Sequence, residues 1–517
     1  MNNATLKDVF IKTFQNDPKK VVYEYYSGKI IEKITYKQLK DKIYGIALIL
    51  KKYLVGIPDE SWVILQATNN PWDMAVLWAL IHNNMNVLLL DKEVKNPKYI
   101  IKQSSAKAII TSYNLSIQNV KSINIEVLRK HNPSKYLSDN NFTFSNKIAL
   151  CTSGTSGNPK IFVHTGTQIY AHINSVLDRY GKAKDLKYNA ENNEIKKTML
   201  TFKFHHIASV LLNFMYPYIG GTIVKTDEIG IKILLDLINS RKVQNVYAVP
   251  MIWDSMVKYI AGKYGNSNPE TIKKAFGDSL RLAMMGAAKP TSRTVEILNK
   301  AGIFTTSAYG MTEIGSLTSN ISRSTENRNK GIAGKVGSRF YEIKVKKESG
   351  ILKSSGTGEL LIRGEIVYYS QLVNGIEIVR DSHEYFHTGD IVKIESDDLY
   401  IIGRVKDIIV NTSGENIYID ELELKFNFLR DLGIEYTIIG INDEPILVIY
   451  MSKDNDVSEI LENISRINNS LEIYTRIKKI YFSKIPLFRT STEKIKRNTI
   501  KDEIVLNNEI FKLIKSY

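Results

Sequence analysis

One short stretch of the chain combines small, hydroxyl-bearing and basic residues in the way that phosphate binding requires. It reads CTSGTSGNPK and follows the apolar run 148–150. Small residues expose backbone N–H groups, hydroxyls add donors and a lysine adds positive charge, which together can cradle a polyphosphate. The spacing is not the G-x-x-x-x-G-K-[ST] of P-loop nucleoside triphosphatases. The candidate phosphate-binding residues are Thr152, Ser153, Gly154, Thr155, Ser156, Gly157 and Lys160.

Four further polar segments follow in chain order. AYGMTE ends in Thr312 and Glu313, YFHTGD ends in Asp390, GRVKD spans 403–407, and PLFRTSTEKIKR contains Lys494. Taken alone, a carboxylate after a strand is usually a cap or a surface acid, and a lysine in a basic tail is usually solvated.

The combination resembles the acyl-adenylate-forming family, which includes acyl-CoA synthetases, peptide-synthetase adenylation domains and firefly luciferase. TSGTSGNPK is similar to the family's phosphate loop, and AYGMTE is similar to its Y-G-x-T-E motif. HTGD resembles the T-G-D motif, GRVKD the G-R-x-[KD]-D junction, and PLFRTSTEKIKR the ending P-x-T-x-x-G-K-x-x-R. The resemblance therefore extends along most of the chain.

The resemblance implies a role for each matched residue. The Thr312 hydroxyl would meet phosphate, the Glu313 carboxylate would help to hold Mg²⁺, and Asp390 would accept hydrogen bonds from both ribose hydroxyls. Lys494 would be the catalytic lysine, because a preorganised ammonium binds the charge of the adenylation transition state more tightly than the ground state. The resemblance also places Tyr309, Gly310 and Arg404 at the nucleotide. It places Lys406 at the hinge and Gly414 at the thiol tunnel.

The acyl pocket is predicted in the same way. His206, within FKFHHIAS, matches an aromatic or histidine gate, and a packed core histidine is the alternative reading. Amino-acid-activating relatives commonly carry Asp at the next position, where this chain has Ile207, so a buried substrate ammonium would lack a partner. The substrate is therefore expected to be a fatty, aryl or other non-amino acid. The pocket and the adenine site are expected to be lined by Met285, Gly286, Ala287, Ala288 and Ser307.

The chain departs from the family pattern at three places. Glu493 precedes Lys494 where the family usually has glycine, and Ile161 follows Lys160 where a small residue is common. The loop from Arg404 to Gly414 is one residue longer than usual. A carboxylate beside the lysine predicts slower adenylation.

Hydrophobic periodicity places these motifs on an α/β scaffold. Residues 35–54 repeat with the helical period, 62–68 form a buried strand, and 75–83 form a short apolar helix. Alternation of this kind predicts a largely parallel sheet whose ligands lie beyond the carboxyl ends of its strands. After about residue 337 short alternating strands predict a β-rich subdomain, and the tail from residue 420 is mixed, with a helical pattern first over DELELKFNFLRDL.

We therefore predict two domains. Residues 1–402 would form a large N-terminal domain of α/β layers with the β-rich subdomain, holding ATP and the acyl group. Residues 403–517 would form a small mobile α+β lid that carries the catalytic lysine. A chain of 517 residues exceeds the size at which one core usually stops growing.

Composition limits the compartment and the partners. The single cysteine, Cys151, excludes an intrachain disulfide and favours the cytoplasm. No window reaches about 18 uninterrupted apolar residues, so no membrane span is expected. The net charge of +16 is spread along a lysine-rich chain without a nucleic-acid-binding signature, and no nucleic-acid partner is expected.

The predicted function is ATP- and Mg²⁺-dependent activation of a small-molecule, non-amino carboxylic acid to acyl-AMP, followed by transfer to coenzyme A. A stand-alone adenylation enzyme that loads the phosphopantetheine arm of an acyl or peptidyl carrier protein is the first alternative. The basic segment 476–515 suits the phosphates of coenzyme A and an acidic carrier protein equally. A catalytically degenerate nucleotide-binding module is the second alternative, against which the presence of Lys494, Glu313 and Asp390 argues.

Overall fold

The structure is a computed structural model, and it describes residues 4–28, 30–131, 143–152, 159–181, 197–286, 291–319, 332–410, 415–451, 457–490 and 494–517. Some predicted site residues lie outside the described residues: Ser153, Gly154, Thr155, Ser156, Gly157, Ala287, Ala288 and Gly414. Glu493 also lies outside them. The chain divides into two compact units. Unit 1 contains the described residues of 1–152, 160–342 and 363–384, and unit 2 contains those of 153–159, 343–362 and 385–517. The domain boundary between residues 402 and 403 stays a prediction.

Several helices of unit 1 begin at residues whose side chains cap them, among them Thr5, Thr35 and Asn70. Thr35 caps the second helix by accepting a hydrogen bond from the Gln38 N–H, and the Gln38 side chain accepts from the Thr35 N–H in return. The helices are α1 Leu6–Thr13, α2 Tyr36–Tyr53, α3 Pro71–His82, α4 Lys98–Ser104, α5 Ile125–Lys130, α6 Gly166–Gly181, α7 Ile207–Tyr218, α8 Ile231–Ser240, α9 Pro250–Tyr264, α10 Pro269–Phe276 and α11 Ser292–Lys300. Helices α2 and α3 confirm the predictions for 35–54 and 75–83.

Strands alternate with these helices along the first 300 residues. The strands are β1 Val21–Ser27, β2 Ile30–Thr35, β3 Trp62–Ala67, β4 Asn86–Asp91, β5 Ala108–Thr111, β6 Lys121–Asn124, β7 Lys147–Cys151, β8 Ile161–Thr165, β9 Lys197–Leu200, β10 Thr222–Thr226, β11 Asn245–Ala248, β12 Leu282–Met285, β13 Phe304–Met311, β14 Gly315–Ser319, β15 Ile332–Lys335, β16 Tyr341–Lys346, β17 Leu352–Lys353, β18 Gly356–Gly364, β19 Ser370–Val373, β20 Ile376–Val379, β21 Phe386–Glu395, β22 Asp398–Arg404, β23 Ile408–Val410, β24 Asn416–Tyr418, β25 Glu435–Ile441, β26 Glu444–Tyr450, β27 Lys479–Ser483 and β28 Phe511–Ser516.

Two eight-stranded sheets form the centre of unit 1. Sheet A has the order β14-β13-β12-β11-β9-β10-β1-β2, and its strands from β13 to β1 are parallel. Sheet B has the order β20-β19-β8-β7-β4-β3-β5-β6, with β7, β4, β3, β5 and β6 parallel. Parallel strands are covered on both faces, which is why β3 is buried along its whole length. The predicted α/β fold with a parallel sheet is confirmed.

The N-terminal helix α1 is fastened to distant parts of unit 1. The side-chain oxygen of Asn146 accepts the N–H of Leu6 at 2.9 Å and the N–H of Gly166 at 3.1 Å. A side chain at Gly166 would place its Cβ 2.3 Å from the Leu6 nitrogen, so this close approach requires glycine. The amide of Asn16 donates to the carbonyl of Pro217 at 3.0 Å.

Unit 2 is built from smaller sheets and short helices. Strands β22, β21, β18, β16 and β17 are hydrogen-bonded to one another in that order. The other strands form the hairpin β23-β24 and the four-stranded sheet β25-β26-β27-β28. The predicted helix over 420–432 is two helices, because the Glu423 carbonyl near the break accepts the Tyr436 hydroxyl at 2.7 Å. The helices are α12 Ile419–Lys425, α13 Phe428–Asp431, α14 Val457–Ser470 and α15 Arg497–Val505.

The helices of the described chain include none with both the length and the hydrophobicity that a transmembrane segment needs.

Candidate active site

Several of the predicted site residues of unit 1 meet at one edge of sheet A. His206 lies beyond the carboxyl end of β9, Gly286 directly follows β12, and Thr312 and Glu313 directly follow β13. These three strands are parallel, so their carboxyl ends lie on the same edge. This edge is where open α/β sheets bind ligands.

The base of the predicted phosphate loop is a strand hairpin. Strands β7 and β8 are antiparallel, with Cys151 opposite Ile161. One step further, the Thr152 N–H donates to the Lys160 carbonyl at 2.9 Å, and the Lys160 N–H donates to the Thr152 hydroxyl at 3.1 Å. Both ends of the loop are therefore fixed against sheet B, while Lys160 is exposed.

His164 joins the phosphate-loop strand β8 to the Thr312–Glu313 turn. Its Nε2 lies 2.9 Å from the Thr312 carbonyl oxygen, and a carbonyl only accepts, so Nε2 carries the proton. The side chain is fully buried, and burial lowers the pKa of His164 to about 4. A neutral His164 therefore positions the backbone that carries two of the predicted catalytic residues. Sequence reasoning missed this residue.

Replacement of His164 by glutamine should reduce the acid sensitivity of the protein. Because the pKa of His164 is about 4 in the folded state and ~6.5 in an unfolded chain, the unfolded chain binds more protons in this window. Stability therefore falls as the pH falls from about 6.5 towards 4. We expect wild type to lose about 2 kcal/mol more than His164→Gln between pH 7 and pH 5 in urea unfolding.

The exposed His383 supplies the matched control for this measurement. His383→Gln should lose as much stability between pH 7 and pH 5 as wild type. Equal losses in wild type and His164→Gln would contradict the assignment of a buried, neutral imidazole.

The Thr312–Glu313 turn is held from several further directions. The Tyr368 N–H donates to the Glu313 carbonyl at 2.8 Å. A Cβ at position 310 would lie 1.9 Å from the Gly315 carbonyl oxygen across the β13-β14 hairpin. Gly315 has a φ of +57°, and a Cβ there would meet the ring of His172 at 2.3 Å. Close packing therefore requires glycine at both Gly310 and Gly315. Thr312 and Glu313 are half-buried at the tip of this hairpin.

The predicted gate residue His206 is the N-cap of α7. Its Nδ1 accepts the N–H of Ala208 at 3.2 Å. Its ring stacks on Phe202, with the ring centroids 5.4 Å apart and the planes at 15°. The Phe202 ring in turn lies 3.4 Å from the position of a Cβ on Gly286. Phe202 therefore brings the predicted gate and the predicted pocket glycine together.

An ion-pair cluster supports the loop that carries the gate. Lys203 Nζ lies 3.1 Å from Asp91 Oδ2, and His205 Nε2 lies 3.7 Å from the same oxygen. Asp91 ends β4, so the cluster ties the carboxyl end of a sheet B strand to the loop after β9. Burial raises the pKa of Asp91, but His205, the Glu93 N–H and Lys203 outweigh it and hold the pKa below its ordinary value. Like His164, Asp91 and Lys203 support the site without having been singled out by the sequence motifs.

In unit 2, Asp390 lies within β21 and is only 3% exposed. Arg404 Nε is 2.9 Å from its Oδ1. The Asp390 N–H donates to the Thr388 hydroxyl at 3.1 Å, and that hydroxyl donates to the Leu360 carbonyl at 2.8 Å. Glu359 accepts the Gly389 N–H at 3.2 Å. The predicted ribose-binding carboxylate and the predicted nucleotide-contacting arginine are therefore paired across two neighbouring strands, β21 and β22.

Lys494 lies at the end of a second hairpin of unit 2. The Thr490 N–H donates to the Lys494 carbonyl at 2.8 Å, and the Lys494 N–H donates to the Thr490 hydroxyl at 3.2 Å. The Lys496 N–H donates to the Phe488 carbonyl at 2.8 Å. We call the described residues on these two sides, 488–490 and 494–496, the lysine hairpin. The predicted hinge Lys406 is exposed in a single 3₁₀ turn, Val405–Asp407.

The donor set fits a nucleotide with Mg²⁺. Mg²⁺ prefers oxygen ligands and is usually held by one or two carboxylates together with substrate phosphates. Glu313 supplies such a carboxylate and Thr312 a hydroxyl. Among the described residues no group of three or more histidine, cysteine or acidic side chains is arranged as a metal cage. The residues present therefore suit a metal that arrives with phosphates.

The chain matches the family model "AMP-binding enzyme" over residues 10–369. Among curated relatives, the long-chain-fatty-acid–CoA ligase FadD13 of Mycobacterium tuberculosis is 26% identical over 69% of this chain and 67% of that protein. The 2-succinylbenzoate–CoA ligase of Staphylococcus epidermidis is 24% identical over 91% of this chain and 93% of that protein.

Solved structures show the same fold. The O-succinylbenzoate coenzyme A synthetase MenE of Bacillus subtilis, in complex with AMP, superposes with a TM-score of 0.76 at 19% identity, covering 96% of this chain and 98% of that one. ATP-bound MatB of Rhodopseudomonas palustris gives 0.76 at 18% identity, with 96% and 98% coverage. The fold that the motifs implied is confirmed. The family match covers well over half of the sequence, and the chain belongs to the AMP-binding enzyme family.

Proposed function

We propose that the protein is an AMP-forming acid–thiol ligase that activates a non-amino carboxylic acid with ATP and transfers the acyl group to coenzyme A. The observation that carries the proposal is the contact of His164 with Thr312, which joins the phosphate-loop strand to the Thr312–Glu313 turn. The curated relatives are CoA ligases, which supports the same activity.

The reaction has two halves. In the first, a carboxylate oxygen of the acid bonds to the α-phosphorus of ATP, the bond to pyrophosphate breaks, and acyl-AMP is formed. In the second, the thiolate sulfur bonds to the acyl carbon, the bond from that carbon to the AMP oxygen breaks, and AMP leaves. Each half conserves its atoms, and the energy of ATP is carried between them in the mixed anhydride.

The residues divide the first half between them. The loop from Thr152 to Lys160 binds the β- and γ-phosphates, Asp390 accepts from the ribose hydroxyls, and Lys494 stabilises the charge on the α-phosphate oxygens as they become equatorial. Thr312 contacts phosphate, and Glu313 holds Mg²⁺, which neutralises phosphate charge when bound.

The second half requires a different arrangement of the same site. A rotation about Lys406 withdraws Lys494 and brings the region of Gly414 to the thiol path, so one site serves two reactions in turn. The exposure of Lys406 in a short 3₁₀ turn supports a hinge at that position. The site roles of Tyr309, Gly310, Gly286 and Arg404 belong to the same proposal.

A non-amino acid is the expected substrate. Ile207 is 5% exposed beside the gate, and its side chain offers no acceptor for an ammonium. The stacked rings of Phe202 and His206 give the gate an aromatic face. The names of the curated relatives refer to fatty, succinylbenzoic and coumaric acids, which supports this class.

Coenzyme A is favoured over a carrier protein because the relatives are named for coenzyme A. We further propose a cytoplasmic location. It is supported by the one cysteine of the chain, Cys151, which is unpaired, and burial raises the pKa of its thiol to about 12. A chain with one cysteine forms no intrachain disulfide, and disulfides are the feature that an oxidising compartment favours.

The decisive experiment is pyrophosphate release from ATP and Mg²⁺ with a panel of fatty, aryl, hydroxy and amino acids, with and without coenzyme A. The proposal predicts release with a non-amino acid, stimulation by coenzyme A and a detectable thioester. Release without transfer to coenzyme A would point to a carrier protein. Silence with every acid would favour the degenerate nucleotide-binding module.

Asp390→Ala should raise the KM for ATP about tenfold or more, since hydrogen bonds to a charged acceptor are each worth about 1.5–3 kcal/mol. Steady-state pyrophosphate release against ATP concentration measures this. Asp390→Asn keeps the shape of the side chain and should show a smaller effect of the same kind. Asp381→Ala, at an exposed position, is the control. An unchanged KM for ATP in Asp390→Ala would argue against the ribose role.

A further inference from the structure

Arg497, three residues after Lys494, is bonded to three carboxylates within unit 2. Its Nη1 lies 3.0 Å from Asp407 Oδ2, and its Nη2 lies 2.6 Å from Asp420 Oδ1 and 3.0 Å from Glu423 Oε2. The Arg497 side chain is 20% exposed, that of Asp407 17% and that of Glu423 9%, so these two pairs are only weakly screened by solvent, whereas Asp420 is 40% exposed. We call these four residues (Arg497, Asp407, Asp420 and Glu423) the Arg497 clamp.

The clamp is anchored on strand β25. Glu423 Oε1 accepts the Thr437 hydroxyl at 2.7 Å and the Ile438 N–H at 2.8 Å. The same hydroxyl oxygen accepts Arg497 Nε–H at 3.2 Å. The guanidinium is thus held on several of its donors in a fixed plane, which the rounder ammonium of a lysine could not reproduce.

The carboxylate of Asp407 gives the clamp its connection to the predicted hinge, because Asp407 directly follows Lys406 in the chain. On the other side of Lys406, Arg404 is paired with Asp390 at 2.9 Å. Val405 and Lys406 are therefore the two residues between one ion pair that ties the chain to β21 and another that ties it to the clamp. Both are exposed.

A second contact holds the chain after the hinge against β25. Ile409 packs so closely on Gly440 that a Cβ there would lie 2.7 Å from Ile409 Cγ1. The lysine hairpin is held to the same strand, since Glu435 at the start of β25 accepts from Arg489 at 3.2 Å. The segment after the hinge and the lysine hairpin thus share one support.

We propose that Arg497 is a positioning residue that fixes the lysine hairpin to the chain immediately after the hinge, so that rotation is confined to Val405 and Lys406. The inference rests on the proposed function, in which Lys494 serves adenylation and is then withdrawn. Because a reacting group misplaced by about 1 Å can lose a hundredfold in rate, a lysine that is withdrawn and returned in each cycle needs such a fixture.

The test uses Arg497→Lys, which keeps the charge but loses the planar fork, and Asp407→Asn, which removes the partner next to the hinge. Two rates are measured in the full-length enzyme: acid-dependent pyrophosphate release, and thioester formation from supplied acyl-adenylate and coenzyme A. Both variants should lower kcat for pyrophosphate release at least tenfold with the KM for ATP within twofold. Thioester formation should stay within threefold of wild type.

Two additional variants sharpen the test. The double variant should be no slower than Arg497→Lys alone, because that change already breaks the contact with Asp407. Arg466→Lys is the matched control, since Arg466 is exposed and bonds within its own helix at 3.0 Å to Asn463. It should leave both rates unchanged.

The outcomes separate the clamp from the proposed function. Pyrophosphate release by Arg497→Lys within twofold of wild type would overturn the clamp proposal alone. Equal losses in both half-reactions with a lowered melting temperature would overturn it in favour of a purely structural ion pair. Wild-type enzyme that releases no pyrophosphate with any acid would overturn the proposed function, and the role of the clamp with it.

Discussion

Lys494→Ala is expected to lower acid-dependent pyrophosphate release by a factor of about 10²–10³, the loss typical of removing one preorganised group that stabilises transition-state charge. Thioester formation from supplied acyl-adenylate should persist, because the proposed rotation removes Lys494 from the site before the thiol attacks. Rapid-quench assays of the two half-reactions, run separately, measure both effects.

The matched control is Lys501→Ala, which removes an exposed ammonium from helix α15 seven residues further on. If the basic character of this region were all that mattered, both alanine variants would lose activity alike. Loss of both half-reactions in Lys494→Ala alone would contradict the division of labour between the two states.

Gly310→Ala should be the most damaging single-methyl change near the site. The added Cβ would lie 1.9 Å from the Gly315 carbonyl oxygen; the backbone of one hairpin fixes the positions of both atoms, so relief requires the hairpin to open. The hairpin carries Thr312 and Glu313 at its tip. We expect kcat for pyrophosphate release to fall at least about 100-fold and stability to fall by about 2–4 kcal/mol.

Gly262→Ala provides the comparison for Gly310→Ala. Gly262 lies within helix α9, and a Cβ there meets no atom within 4 Å. Because alanine favours the helix over glycine, this variant should keep full activity and gain up to about 1 kcal/mol in chemical unfolding. A Gly310→Ala enzyme with near-wild-type kcat would show that the β13-β14 hairpin does not position the reactive turn.

The sequence was informative where function depends on short runs of neighbouring residues. The phosphate loop, the Thr312–Glu313 turn and the Asp390 segment are each contiguous, so their chemistry is visible without a fold. Periodicity also predicted helix α2 and the buried strand β3, since a helix face and a fully covered strand leave clear patterns. Family membership and the α/β fold followed from these two kinds of signal.

Residues that act through a long-range contact left no such signal. His164 and Thr312 are 148 positions apart, and Arg497 and Asp407 are 90 apart, so only the folded chain brings each pair together. Glu359 reaches Gly389 in the same way, across neighbouring strands. Each of these residue types, taken singly, is more often an ordinary surface or core residue.

Helix α1 has a consequence for the making of the protein. It is synthesised well before its partners: Asn146 follows Leu6 by 140 residues, and Pro217 follows Asn16 by 201. At about 5–20 residues per second, the later partner emerges roughly 10–40 s after the helix. Phe10, which has no exposed surface in the finished fold, is covered there by the rings of Trp78 and His82, which follow it by 68 and 72 residues and so emerge roughly 3–14 s later. Helix α1 therefore exposes Phe10 on the nascent chain until these partners have been made, and slow synthesis before residue 78 would lengthen that exposure.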